Sequence, residues 1–146
     1  MAAVDLSQAA VPAGFSPLPT PPGFARHCGG FYLHDELPVL AVRIGEHLLN
    51  SVRIVHGGFL ATLADSAFGV VFRRAYDLEF PPITVNLSLD YLGAVREGDW
   101  LEAHVEILKF GGSFANADCR LKVGERTVLR ATGIFTLWKG GSAGAR

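Results

Sequence analysis

Residues 50–76 hold the groups whose types and spacing could do chemistry: the carboxamide of Asn50, the turn His56-Gly57-Gly58, and one carboxylate, Asp65, within an apolar run. The run from Gly57 to Tyr76 reads GGFLATLADSAFGVVFRRAY, with apolar residues at helical spacing. Gly57 and Gly58 stand at its start, where backbone N–H groups have no intrahelical acceptor. Free donors at the positive end of a helix dipole favour a developing negative charge, such as a carbonyl oxygen becoming an oxyanion. Glycine has no Cβ to keep a substrate away from the backbone. Paired glycines also serve simply to make a tight strand-to-helix turn, so the turn alone does not decide.

Asp65 adds the second half. It lies among Leu63, Ala64 and Ala67, with no basic residue three or four positions away. Burying an unpaired carboxylate is costly, and one held there is a candidate general base. A solvent-facing or loop-capping aspartate is the alternative. Thr62 and Ser66 flank it and are small enough to leave space for water. Gly57 and Asp65 are eight positions apart, about 12 Å along a helix axis and roughly 80° around it. One small reacting group cannot touch both on the same helix. If both act on one substrate, Asp65 comes from a symmetry-related helix in a two-fold dimer.

The elements that must position these groups follow from pattern. Residues 1–25 carry five of the eight prolines and little periodicity, so neither a strand nor a full helix is expected there. That arm is a loose leader, or it drapes over the domain as a partial lid through Phe15 and Phe24. Short strands are expected near Phe31–His34 and Val39–Ile44, joined by a turn at Asp35–Pro38. The helix over 57–76 is apolar around so much of its circumference that it should be largely wrapped. Pro81 and Pro82 forbid its continuation. Strands follow near Ile83–Leu92, Trp100–Leu108, Ser113–Val123 and Thr127–Trp138, with short hairpin-like connections implying antiparallel neighbours. Strand and helix lengths match at ~30 Å, so a curled antiparallel sheet can wrap the one helix. The Gly-rich tail 139–146 is expected to be loose.

Composition narrows the class. At 146 residues, 49% hydrophobic and 18% charged, the chain suits one domain of residues 26–138 with a single core. The low charge points to oligomerisation. A net charge of -1 with scattered basic residues does not forecast nucleic-acid binding. Cys28 and Cys119 lack metal-ligand or disulfide spacing and read as buried, idle thiols. No metal site is expected, and His27, His34 and His47 show no partner spacing. No apolar run approaches ~20 residues and no secretory signal is visible, which makes a cytoplasmic location without membrane contact the expectation.

Asn50, His56-Gly57-Gly58 and Asp65, with the later strand ITVNLSLDYL, resemble the hotdog-fold thioesterases of the PaaI/acyl-CoA thioesterase 13 group. The resemblance runs from about Phe31 to Trp138. It implies an α+β hotdog fold, hydrolysis of acyl-CoA thioesters, homodimers paired into homotetramers, and no cofactor or metal. By the same resemblance, Gly57 offers its amide to the thioester carbonyl, and Asn50 bonds near that carbonyl or the attacking water. Asp65 of the other subunit is general base or nucleophile, and Thr84 helps hold the water. His56 and Gly58 are substrate-binding residues of the turn, with His56 orienting it, and Phe68 lines the acyl pocket. Gly111-Gly112-Ser113 falls where relatives bring a loop near CoA. A non-catalytic acyl-CoA sensor and a hotdog dehydratase are the alternatives. The dehydratase chemistry puts its acid at the helix start, whereas Asp65 lies two turns inside.

Overall fold

The expected helix is present as α2 (Gly57–Tyr76) in the computed structural model, which describes residues 9–137. His56 caps its start in an extended conformation. At its end Asp77 turns left-handed, at φ 49°, and donates its N–H to Arg73 O. One face of α2, comprising Phe59, Leu60, Leu63, Ala64, Ala67, Phe68, Val71 and Phe72, is buried.

That face rests on a seven-stranded antiparallel sheet of β1 (Phe15–Pro17), β2 (Phe31–His34), β3 (Val39–Arg43), β4 (Ile83–Tyr91), β5 (Trp100–Gly111), β6 (Phe114–Val123) and β7 (Arg126–Thr136). Alternation puts Leu101, Ala103 and Val105 of β5 and Ala115, Ala117, Cys119 and Leu121 of β6 toward the helix, all buried. The alanines leave room for the helix to come close. At Gly133 of β7 an added Cβ would stand 2.5 Å from Phe135 and 3.1 Å from Phe68, so only glycine allows those two rings to meet. They do so edge-on at 5.2 Å.

Three sequence expectations differ from this architecture. The strand order is β1-β2-β3-β5-β6-β7-β4, so β4 does not form a hairpin with β5. Residues 92–99 are too many for a tight two-residue turn. Instead they tie into the loops around the helix start, with Val55 N donating to Val95 O at 2.8 Å and Ile44 N to Asp99 O at 3.0 Å. β4 is left to pair with β7 alone and to form a sheet edge.

Second, the proline-rich arm does contain a strand. Phe15, Ser16 and Pro17 pair with His34, Leu33 and Tyr32. Proline is tolerated there because an edge strand has one side without ladder bonds. A four-residue helix, α1 (Phe24–His27), follows.

Third, the wrapping of α2 is one-sided. Ala61, Thr62, Asp65, Ser66, Gly69 and Val70 remain half-buried, because the sheet curls over one face only. The last strand ends at Thr136. Trp138, the tail 139–146 and residues 1–8 lie outside the described residues.

Candidate active site

The helix start is assembled by the loop before it. Leu49 bridges Val55, Asn50 N donates to Ile54 O at 2.8 Å, and His56 N donates to Leu48 O at 2.9 Å. Asn50 Oδ1 accepts from Val52 N at 3.0 Å and Ile54 N at 3.3 Å. Its carboxamide oxygen is thus spent on closing the loop, and the Nδ2 donors remain for a ligand. Arg53, left-handed at φ 65°, sits between Glu46 at 3.0 Å and Glu97 at 3.2 Å. These carboxylates push its guanidinium pKa up.

The two glycines differ. Gly58 N donates to His56 Nδ1 at 2.8 Å, so this amide is occupied and not offered to a substrate, contrary to the expectation of two free donors. His56 is the capping side chain that orients the turn. Gly57 N has no acceptor among the described residues and is the available donor.

A residue given no role in the sequence reading completes this end. Tyr91, at the end of β4, donates its hydroxyl to Gly57 O at 2.8 Å. A Cβ on Gly57 would stand 3.2 Å from the Tyr91 ring, so the glycine permits the contact. Nothing in the sequence signals a partnership across 34 positions; the tyrosine reads only as a strand residue.

Asp65 stands at the other end. It is half-buried rather than sealed in the core, and Thr84 donates to its Oδ1 at 2.6 Å. Thr84 borders an irregularity in β4, where the register with β7 shifts between Thr84 and Asn86. Such bulges re-aim side chains beside sites. Asp65, Thr84 and Ser66 line a cavity of about 620 Å³ whose walls are otherwise largely apolar. Thr62 turns its hydroxyl back to Gly58 O at 2.9 Å and does not join them.

Phe68 does not line this cavity. It is fully buried against Phe135 in the core, while Asp65, Ser66, Gly69, Val70, Arg73 and Arg74 are the helix residues facing the space. Helical spacing alone could not separate the two faces, since both are apolar. Gly111 and Gly112 lie beside Leu78 and Phe80 at a smaller cleft of about 370 Å³, toward the far end of α2.

The remaining candidates are structural. His34 Nδ1 accepts from Glu36 N and Leu37 N, and His47 Nε2 lies 2.8 Å from Cys28 O. Both cysteines are buried and unbridged. Burial pushes both thiols up, Cys119 to about 12 with Asp118 contributing. Among the described residues no His, Cys, Asp and Glu cluster could hold a metal ion, and no helix is long and apolar enough to cross a membrane.

One chain therefore holds two separate polar clusters, Asn50, His56 and Gly57 at one end of α2 and Asp65 with Thr84 further along it. A curled antiparallel sheet around one long helix is the hotdog fold. The family model of the thioesterase superfamily matches residues 53–129. A Pseudomonas aeruginosa protein named "Putative esterase PA0474" is 39% identical over 130 residues, spanning 87% of this chain and 97% of that one. This chain belongs to the thioesterase superfamily.

Among solved structures, a hypothetical thioesterase from Streptococcus pneumoniae, crystallised with coenzyme A, is 28% identical with a TM-score of 0.61. The match covers 67% of this chain and 77% of that one. The Escherichia coli PaaI protein shares the fold, with a TM-score of 0.64 at 23% identity over 70% of this chain and 72% of that one.

Proposed function

We propose that the protein hydrolyses acyl-CoA thioesters as a two-fold dimer in which each active site takes Asn50 and Gly57 from one chain and Asp65 with Thr84 from the other. The carrying observation is that the two half-sites are tied to opposite ends of the same edge strand. Thr84 binds Asp65 at the start of β4, and Tyr91 binds Gly57 at its end. The free side of β4 has no strand partner among the described residues, and it presents apolar groups to solvent, with Val85 55% and Tyr91 53% exposed. An unpaired apolar edge invites pairing with another strand. Antiparallel pairing of β4 with its own copy, about an axis through Ser88 once the extra residue between Thr84 and Asn86 is counted, sets Thr84 across from the partner's Tyr91. Asp65 of one chain then faces the Gly57 amide of the other.

In that site the Gly57 N–H donates to the thioester oxygen as negative charge develops there, and an Asn50 Nδ2–H donates to the same oxygen or to the water. Asp65 works by one of two routes. As general base it takes a proton from water, whose oxygen attacks the carbonyl carbon; the tetrahedral intermediate then collapses, breaking C–S, and Asp65 returns the proton to the CoA sulfur. As nucleophile it attacks the carbon itself, expels CoA thiolate and leaves an anhydride that water cleaves. Thr84 already donates its proton to Asp65, so its oxygen can accept from the water.

Pairing of dimers into a tetramer is supported by Leu108, Phe114 and Ile134, exposed on the outer sheet face. Sedimentation gives the assembly state. Hydrolysis assays over straight-chain and aryl acyl-CoAs test the activity, with CoA release expected; turnover of no thioester would leave a binding module.

A further inference from the structure

The segment Leu18-Pro19-Thr20-Pro21 lies outside the matched residues 53–129, yet it borders the cavity that holds Asp65. It is held at both ends. Before it, β1 is pinned by Phe15, edge-on to His34 at 5.0 Å and to Trp100 at 5.3 Å. Leu18 N donates to Phe31 O at 2.9 Å as the chain leaves the sheet. After it, Arg26 of α1 grips the Thr20 carbonyl with Nε at 3.3 Å and Nη2 at 2.9 Å. Two prolines fix φ between these anchors. The segment is a fixed wall and not a draped strap.

Its chemistry suits an apolar ligand. Proline carries no N–H, so Pro19 and Pro21 present no donor that a hydrocarbon would leave unpaired. Across the cavity, Asp65, Ser66, Gly69, Val70 and Arg73 line the space from the exposed face of α2. Asp65 to Arg73 is eight residues, about 12 Å of helix. Pro81 packs over Gly69, its Cβ 3.4 Å from where a Cβ on the glycine would stand, an ordinary contact distance. Beyond it Arg73, Arg74 and Asp77 make a charged far end. Arg74 is committed there to His34 O at 2.6 Å and Leu37 O at 2.5 Å.

We propose that Leu18–Pro21 is the specificity wall of the acyl site, selecting short-to-medium apolar or aromatic acyl groups that end before the charged rim. This rests on reading Asp65 as the group that meets the thioester. The acyl chain runs from Asp65 along α2, flanked by Leu18 and Thr20. A long chain would have to pass Arg73 and Asp77, which would strip water from their charges.

Two variants test the wall in the full-length protein: Leu18→Ala opens it, and Thr20→Trp fills it. Binding is measured with CoA and with butyl-, octyl- and hexadecyl-CoA thioethers, which cannot be hydrolysed, and turnover with the corresponding thioesters. Leu18→Ala opens a sideways exit through the wall that avoids Arg73 and Asp77, so it should shift the hexadecyl-to-butyl preference by about tenfold toward the longer chain, and Thr20→Trp should weaken octyl-CoA by about tenfold relative to butyl-CoA. Affinity for CoA itself should hold, whereas general damage to the fold would weaken every ligand alike. Unchanged preferences in both variants would overturn the wall. Shifted thioether preferences without any wild-type turnover would remove the hydrolase and keep the wall. Failure of the wild type to bind any thioether would remove both.

Discussion

Thr84 Oγ1 lies 2.6 Å from Asp65 Oδ1, linking the edge strand β4 to the middle of the central helix. The bond orients the carboxylate, and no cation pairs with Asp65 among the described residues. Asp65→Asn keeps the shape and removes the carboxylate proposed as base or nucleophile. It should leave the circular dichroism spectrum intact and lower kcat about 10²- to 10⁴-fold. Near-normal rates would remove Asp65 from the mechanism. Thr84→Val should cost roughly tenfold or more, the scale of a hydrogen bond to a charged group, and Thr84→Ser should restore most of it.

Sharing of the site between chains is tested by mixing. Asn50→Ala and Asp65→Ala homodimers should both be inactive. After subunit exchange, half the dimers are mixed and each contains one intact site, so about a quarter of wild-type activity should return. Exchange verified by mass spectrometry with no recovered activity would count against the shared site.

Tyr91 reaches the Gly57 carbonyl from the end of β4. Tyr91→Phe keeps the ring against the glycine and removes a hydrogen bond worth about 1 kcal/mol. Expected is a severalfold fall in kcat with KM little changed, because the amide is less firmly aimed when charge develops. An equal rise in KM with constant kcat would assign Tyr91 to ground-state binding instead.

Phe68 distinguishes core from acyl site. Its ring is fully buried and meets Phe135. Phe68→Ala should destabilise the fold by about 3–5 kcal/mol in urea titrations. The relative rates on different acyl chains should stay as in the wild type; a changed chain-length preference would return Phe68 to the site.

Burial raises the Cys119 thiol from the ordinary 9.0 to about 12. The fold thus favours the neutral thiol. Its contribution to stability is full below about pH 9, where the unfolded chain is also protonated, and is lost as pH rises toward 12. Urea unfolding should therefore become easier between pH 8 and pH 10, by more in the wild type than in Cys119→Ala, with ~pH 9 as the onset. At pH 8 the folded protein should also resist alkylation at Cys119, and rapid labelling would contradict its burial.

Periodicity located the helix from Gly57 to Tyr76 and its neighbouring strands, because apolar spacing and proline stops are local properties of the chain. It located β4 as a strand but not its place at the edge of the sheet. A connection of eight residues reaches either edge of a sheet, and the ties of Val95 and Asp99 to loops distant in sequence decide which. Nor could it sort Phe68 from Val70, since both faces of α2 are apolar and only the curl of the sheet buries one of them. The strand in the arm was hidden by Pro17, whose missing donor matters only where a strand has neighbours on both sides.

Residue types and intervals by themselves determined the separation of the two proposed half-sites: a glycine turn at the helix start and a carboxylate about 12 Å further along the same helix, too far for one small group to touch both. The tertiary structure alone decided that Gly58 is spent on His56, that Gly57 is held by Tyr91, and that Asp65 is met by Thr84. Each is a contact between side chain and backbone or between two side chains, set by where elements pack. Spacing along one helix says how far apart two groups must be. Only the packed sheet says which strand holds each of them, and that both are held by the same one.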